Sequence, residues 1–171
     1  MDKSEALEAG TQSTNVVKPC DGALDNPACF AQSAAVRLAA LGAVSAWIGS
    51  FSRSGPHRLF VATEEERLLG FAGSQQYRSH PAFRKTIETS IYVDPEALGH
   101  GVGSALYENL FKEISGEGLH RAVVGIALPN EASVRLHRKV GFTDVGTFAE
   151  YAIKNGCYVS SVWMQRDLTP I

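Results

Sequence analysis

An α+β fold is what this sequence predicts, on three observations. Two apolar runs around Glu64-Glu65-Glu66 read as an early antiparallel hairpin. An alternating strand, Thr86 to Val93, runs into a glycine-rich turn and an amphipathic helix. Two more apolar runs flank Lys154-Asn155-Gly156 and read as a closing hairpin. With 171 residues, 44% hydrophobic and 20% charged, the chain has the size of one domain and enough apolar side chains for a core, which excludes intrinsic disorder.

Taken in order, Met1 to Asn15 is polar and lacks an apolar period. Residues 1–14 are therefore expected to be a flexible tail and residues 15–171 a single domain. Asn15 to Pro19 is a short candidate strand. Asn26-Pro27 has the form of a helix start, and alanine-rich Ala28 to Phe51 suits one helix, or two broken near Gly42. Arg58 to Thr63 and Arg67 to Gln75 are the hairpin strands, and Tyr77 to Lys85 is a loop. In the next strand Ile87, Thr89, Ile91 and Val93 share one face, and Glu88, Ser90 and Tyr92 the other.

A helix opens near Gly103 with Leu106, Leu110 and Ile114 as its stripe, Tyr107 and Phe111 beside it, and Gly116 and Gly118 beyond its end. Arg121 to Leu128 is an apolar strand. Asn130 caps a second helix, in which Ala132, Leu136 and Val140 recur at four-residue intervals, and Gly141 ends it. Phe142 to Tyr151 and Cys157 to Gln165 are the closing strands.

Composition narrows the function. Sixteen Lys+Arg against eighteen Asp+Glu leave a net charge of −2, unsuited to coating nucleic acid. Cys20, Cys29 and Cys157 are odd in number and follow no CxxC spacing, which predicts neither a disulfide framework nor a metal site and favours the reducing cytoplasm. The start of the chain has no basic segment followed by an apolar one, so no secretory signal is expected. The longest uncharged run, between Arg37 and Arg53, falls short of the ~20 residues that span a bilayer, so no membrane partner is expected either.

The strand–glycine–helix order points to an anion. Glycine allows positive φ and close approach to the backbone, and the first N–H groups of a helix have no internal partner. A phosphate or diphosphate fits such a place. The nucleoside-triphosphate loop needs a lysine after its last glycine, and Ser104 follows Gly103. The dinucleotide fingerprint needs G-x-G-x-x-G, whereas this chain has G-x-G-x-G in mid-sequence, after an antiparallel hairpin. Both nucleotide readings weaken.

Ile91-Tyr92-Val93-Asp94-Pro95 followed by Leu98-x-x-Gly101-x-Gly103-Ser104-x-Leu106 resembles the acetyl-CoA-binding motif of the GNAT superfamily of N-acetyltransferases. Asn130-Glu131-Ala132-Ser133-Val134-Arg135-Leu136-His137-x-x-x-Gly141-Phe142 resembles that superfamily's second motif, in the right order and at the right separation. The resemblance covers about Arg58 to Leu168. Within the superfamily, Thr86 to Val93, Ser133 to His137 and Lys154-x-Gly156…Trp163-Met164-Gln165 are similar to the phosphinothricin and methionine-sulfone acetyltransferases. The resemblance implies a single domain in α/β/α layers, with a mixed, mostly antiparallel sheet of six to seven strands, and a homodimer.

It also implies a reaction, direct attack of a small amino-acid-like amine on the thioester of acetyl-CoA, with no metal. Glu88 falls at the family's glutamate and is the implied base; a solvent-facing strand glutamate, or one paired with Arg84, is the plainer alternative. His137 falls where many members carry a tyrosine that protonates the leaving thiolate; a packed, hydrogen-bonded histidine is its alternative. The implied acetyl-CoA contacts are Ile91, Tyr92 and Val93, the turn Leu98, Gly99, His100, Gly101, Val102, Gly103 and Ser104, and Asn130 and Ser133. The Val93 N–H is the implied oxyanion donor. The first motif position, Gln or Arg in the family, is Leu98, which throws diphosphate binding onto backbone N–H groups beside His100.

An amino-acid acceptor needs a cation for its carboxylate, and Arg78, Arg84 and Lys85, near Glu88, are the candidates. Acetylation of another small amine or a protein N-terminus, and a non-catalytic acyl-CoA-binding module, are the competing functions.

Overall fold

The computed structural model describes residues 16–19, 46–154 and 156–169. The tail expected over residues 1–14 and most of the helix expected from Ala28 lie outside the described residues; residues 46–49 are helical. Seven strands form one sheet: β1 (Val16–Pro19), β2 (Leu59–Glu64), β3 (Arg67–Gln76), β4 (Thr86–Val93), β5 (Arg121–Ala127), β6 (Thr143–Lys154) and β7 (Cys157–Asp167). Their order is β1-β2-β3-β4-β5-β7-β6. Every pairing is antiparallel except β4 with β5. That one needs a crossover, and α1 (Val102–Glu113) supplies it. The second helix, α2 (Glu131–Lys139), links β5 to β6. The α+β expectation holds, with seven strands.

Both faces of the sheet are covered, which explains why β2 reads as a continuous apolar run rather than an alternating one. Phe60 and Ala62 join a core with Leu106, Leu110 and Val134 from the two helices. Leu59 and Val61 point the other way and pack with Phe71 and Ile48. Along β4, Ile87 and Thr89 are buried on the α1 side, with Ile91 and Val93 packed against the same core. Among the described residues no helix is long and apolar enough to cross a membrane.

Most element boundaries fall within a residue or two of expectation. The β2–β3 turn is shorter than Glu64–Glu66: Glu64 ends β2, and Glu65 takes a left-handed φ of 52°. The stripe of α2 is corrected. Its buried residues are Val134 and His137, Leu136 and Val140 lie at the margin, and Ala132 is exposed. A hydrophobicity count passes over position 137 because a histidine with internal partners can occupy a core position.

Gly70 pins β3 to β4. A Cβ there would lie 2.5 Å from the Tyr92 carbonyl oxygen and 3.2 Å from the Val93 Cα, both backbone atoms that cannot swing aside. Gly70→Ala should destabilise the protein by about 1–3 kcal/mol, read as a lower urea midpoint with an unchanged slope.

Candidate functional site

The site begins where the sheet splits. β4 pairs with β5 only through Thr86↔Arg121, Ile87↔Ala122 and Glu88↔Val123, although β4 continues to Val93 and β5 to Ala127. On the other edge β4 stays paired with β3 as far as Gly70↔Val93. The Asp94 N–H donates to the Leu69 carbonyl at 2.8 Å, so Gly70 and Val93 form a non-hydrogen-bonded pair. The backbone groups of Val93, and by alternation those of Ile91, therefore face away from β3 into the split. Those of Tyr92 face β3. Tyr92 is thereby corrected as a contact along the open edge: its backbone is spent on β3, and its exposed ring lies on the opposite face, 5.0 Å from Phe71.

Beyond Val93 the chain turns sharply. The Asp94 carboxylate accepts from the Glu96 N–H at 2.9 Å, and Arg67 bridges Asp94 and Glu96 at 3.0 and 2.6 Å. The Glu96 N–H, and then Arg67, hold the Asp94 carboxyl below its usual range. Leu98 and His100 are exposed. Gly99 and Gly101 have φ of 84° and 80°, and Gly101 is the N-cap of α1 with no side-chain cap. No atom lies within 4 Å of where their Cβ atoms would sit. The first helical bond runs from the Ala105 N–H to the Gly101 carbonyl at 3.0 Å, leaving the N–H groups of Val102, Gly103 and Ser104 without an intrahelical acceptor. Gly103 serves a different purpose: a Cβ there would meet Leu136 Cδ2 at 2.7 Å, so its bareness seats α1 on α2.

Glu88 is half-buried on the face opposite α1, and its carboxylate has no hydrogen bond or ion pair among the described residues. Burial raises its pKa. Gln75, directly across on β3, is committed elsewhere: its Oε1 accepts from the Trp47 indole and its Nε2 donates to Ser50, both at 3.0 Å. Arg84 donates to the Pro81 carbonyl at 3.4 Å rather than pairing with Glu88.

His137 is 1% exposed and lies in a buried chain of hydrogen bonds. Its Nδ1 is 2.7 Å from the Ser133 carbonyl, which can only accept, so Nδ1 carries the proton. Nε2 is then the acceptor, and the Tyr107 hydroxyl donates to it at 2.7 Å. Tyr107 O lies 3.3 Å from Thr89 Oγ1 on β4. Burial lowers the His137 pKa and raises that of Tyr107, so both are neutral at physiological pH. Of the two expectations for His137, this is the packed, hydrogen-bonded one: both nitrogens are engaged and the ring faces the core. Asn130 caps α2 by accepting from the Ser133 N–H at 3.1 Å, which leaves its Nδ2 unspent.

The Glu88 face is bordered by aromatic rings. Arg78 lies over Tyr77 and Phe83, 5.1 and 5.6 Å from their centroids. Tyr77 and Phe148 each approach Trp163 at 6.2 Å. On the other side Trp47 packs 5.6 Å from Phe71. All three cations are exposed, but Arg84 and Lys85 lack this aromatic setting, so Arg78 is the one that the fold positions. Sequence reasoning missed this aromatic border and also Tyr107 and Thr89, which read as ordinary core and strand residues. Trp163 Nε1 is the one buried side-chain polar atom among the described residues without a partner. Leaving such a donor unmet costs on the order of 1–3 kcal/mol.

The arrangement places a proton acceptor on one face of β4, free backbone donors along its open edge, and an anion-ready turn at its end. The profile of the Acetyltransferase (GNAT) family matches residues 28–142. A phosphinothricin N-acetyltransferase of Streptomyces coelicolor is 48% identical over 124 residues, 71% of this chain and 72% of the relative. An L-methionine sulfoximine/L-methionine sulfone acetyltransferase of Pseudomonas aeruginosa is 33% identical over 125 residues, 73% of each. The crystal structure of a phosphinothricin acetyltransferase from Sinorhizobium meliloti with acetyl-CoA superposes with a TM-score of 0.77, at 24% identity, over 90% of this chain and 88% of that one, a likeness of fold.

The Glu88 geometry has a consequence for stability. A carboxyl whose pKa is raised by folding holds its proton more tightly in the native state, so stability falls as pH rises from the ordinary value of 4.5 through the folded value. Glu88→Gln removes that slope. The variant should melt above the wild type at alkaline pH, and the gap should close on acidification to about pH 4.5, followed by calorimetry across pH.

Proposed function

The chain belongs to the GNAT acetyltransferase family, and from that premise we propose that it transfers acetyl from acetyl-CoA to the primary amine of a small amino-acid acceptor of the phosphinothricin or methionine-sulfone type. The observation that carries the acceptor chemistry is the half-buried Glu88 carboxylate, without a partner among the described residues, at the fork of β4 and β5.

The residues present fit acetyl-CoA. Gly99 and Gly101 leave open space at a helix start whose N–H groups are unmet, which suits a diphosphate. Ile91 and Val93 offer backbone groups along an edge that an extended amide chain can join as an added strand. Asn130, at the start of α2, keeps its Nδ2 for the same arm. Acetyl-CoA supplies a thioester carbonyl to the amine.

Glu88 takes the proton that the ammonium must lose, directly or through a water. Its burial moves the pKa toward the working range of a base. The Val93 N–H, free of β3, is the donor for negative charge developing on the carbonyl oxygen. Arg78, held against two rings, receives the acceptor's carboxylate. His137 is a positioning residue. Through Tyr107 and Thr89 it ties α2 to β4 and so sets the height of the Asn130 end against the open edge.

Two finer points complete this reading. The protein works in the cytoplasm, consistent with an odd number of cysteines. It works as a homodimer, for which the exposed Val145, Phe148, Tyr151, Ile153 and Tyr158 on β6 and β7 provide an apolar surface that a second copy can cover.

Thiol release from acetyl-CoA, measured over an amine panel, tests the reading. Turnover with phosphinothricin or methionine sulfone is expected. Turnover only with peptides would move the acceptor to protein N-termini, and none with any amine, despite acetyl-CoA binding, would leave a binding module. Glu88→Gln should lower kcat by about 10²–10⁴ while acetyl-CoA affinity holds. Arg78→Ala should raise the acceptor KM well before it touches kcat.

A further inference from the structure

Trp163 is the part of the Glu88 face that the mechanism leaves unused. On β7 it pairs across from Gly125 on β5, and Glu88 pairs with Val123, two residues earlier on β5. Val123 and Gly125 share a face, so Trp163 and Glu88 rise from the same side of the sheet, two strands or about 10 Å apart across it and about 7 Å along it. The indole leans over β5 toward Glu88 because nothing fills position 125. A Cβ there would lie 3.1 Å from both Cε2 and Cζ2 of the ring, and Cε2 carries the nitrogen. A glycine inside a strand commonly marks such a close approach. Among the described residues the Nε1–H is buried and unmet, whereas the chain's other tryptophan, Trp47, donates to Gln75.

A buried donor kept unmet beside an active site is explained by a ligand atom that meets it. The carboxylate of the acceptor has Arg78, and its amine has Glu88. What remains is an oxygen on the acceptor's side chain. The chemistry fits: a single neutral N–H among aromatic rings can meet one sulfone, sulfoximine or phosphinate oxygen, whereas a carboxylate is better met by a cation such as Arg78. We propose that the Trp163 indole N–H, swung over Gly125, is the hydrogen-bond donor that reads the side-chain S=O or P–O oxygen of the acceptor. This deepens the acceptor assignment above and rests on it. It makes Trp163 a specificity-determining residue and Gly125 the residue that positions it.

The test compares methionine sulfone with methionine, which has the same chain without the oxygens. Loss of ring packing would harm both acceptors alike, and loss of the donor would harm only the sulfone. In wild type loaded with coenzyme A, the Trp163 indole N–H proton resonance should move downfield on adding methionine sulfone and not methionine. The Trp47 resonance, already hydrogen-bonded, should stay in place as the internal control. Trp163→Phe should cut the sulfone-to-methionine ratio of kcat/KM by about 10-fold to 100-fold, mainly through the sulfone's KM. Gly125→Ala, which displaces the ring while keeping the donor, should lower the same ratio.

Sulfone turnover by the wild type with a stationary Trp163 resonance, or with the ratio intact in Trp163→Phe, overturns this inference and leaves the acetyltransferase reading standing. A moving resonance without turnover supports it and overturns that reading. A stationary resonance without turnover overturns both.

Discussion

Three residues of parallel pairing hold β4 to β5, and then the strands part. A parallel pair cannot be closed by a tight turn, so β4 and β5 are held together by this short ladder and by the helices packed beneath them. The parting leaves the Ile91 and Val93 backbone groups facing an open edge in the interior of the sheet. An open edge in the middle of a sheet is costly unless something joins it, and in the proposed reaction the extended arm of acetyl-CoA is the strand that does. In the proposed reaction the fork also decides where the acid–base chemistry sits. Glu88 is the last β4 residue paired to β5, and its carboxylate stands at the crotch of the fork on the opposite face from α1.

The fork holds its shape through buried polar contacts beneath it. Fixing the His137 proton on Nδ1 makes Nε2 the acceptor, and the Tyr107 hydroxyl then has only one orientation that meets it. The chain therefore has a direction, from the Ser133 carbonyl on α2 through Tyr107 on α1 to Thr89 on β4. Three elements that border the fork are tied by bonds that an apolar core would not orient. Protonating His137 would leave Tyr107 facing a donor rather than an acceptor, which is why burial and a neutral ring belong together here.

The sequence made the order of elements, the glycine turn and Glu88 legible for a simple reason: strand alternation, glycine and helix periodicity are local signals. It did not separate Gly101 from Gly103. Both look like turn glycines, but one is needed for its left-handed backbone and the other for the Leu136 methyl that occupies its Cβ space. It placed His137 correctly on α2 and left open whether the ring is packed or catalytic, because its partner Tyr107, and Thr89 beyond that, lie thirty and forty-eight residues away in the chain. It named Arg78 among the candidate cations but could not find the aromatic border that links it to Trp163, since strand neighbours in space are set by the order of strands in the sheet, which no local pattern encodes. Tyr92 failed for a subtler reason. Motif position alone does not tell which backbone groups of a strand face which neighbour.

That last point governs the whole site. A strand offers four directions: two edges and two faces. β4 gives one edge to β3, one to the open split, one face to the core and one to the acceptor side. A slip of one residue against β3 would exchange the two edges and, with them, turn the Val93 N–H back into the ladder. A slip against β5 would displace Glu88 from the fork. Register is therefore a catalytic variable in this fold, and the residues that fix it need touch no substrate. The Asp94 N–H to Leu69 bond sets the alternation at the β4 end, and Gly70 allows the two strands to close there without displacing the Tyr92 carbonyl. Arg67 then ties the first strand turn to Asp94 and Glu96, holding the glycine turn at the end of the same register. The chain thus spends glycine and ion-pair positions around Val93 on geometry, and the proposed chemistry follows from that geometry, which turns the Val93 N–H away from β3 and leaves the Glu88 carboxylate without a partner among the described residues.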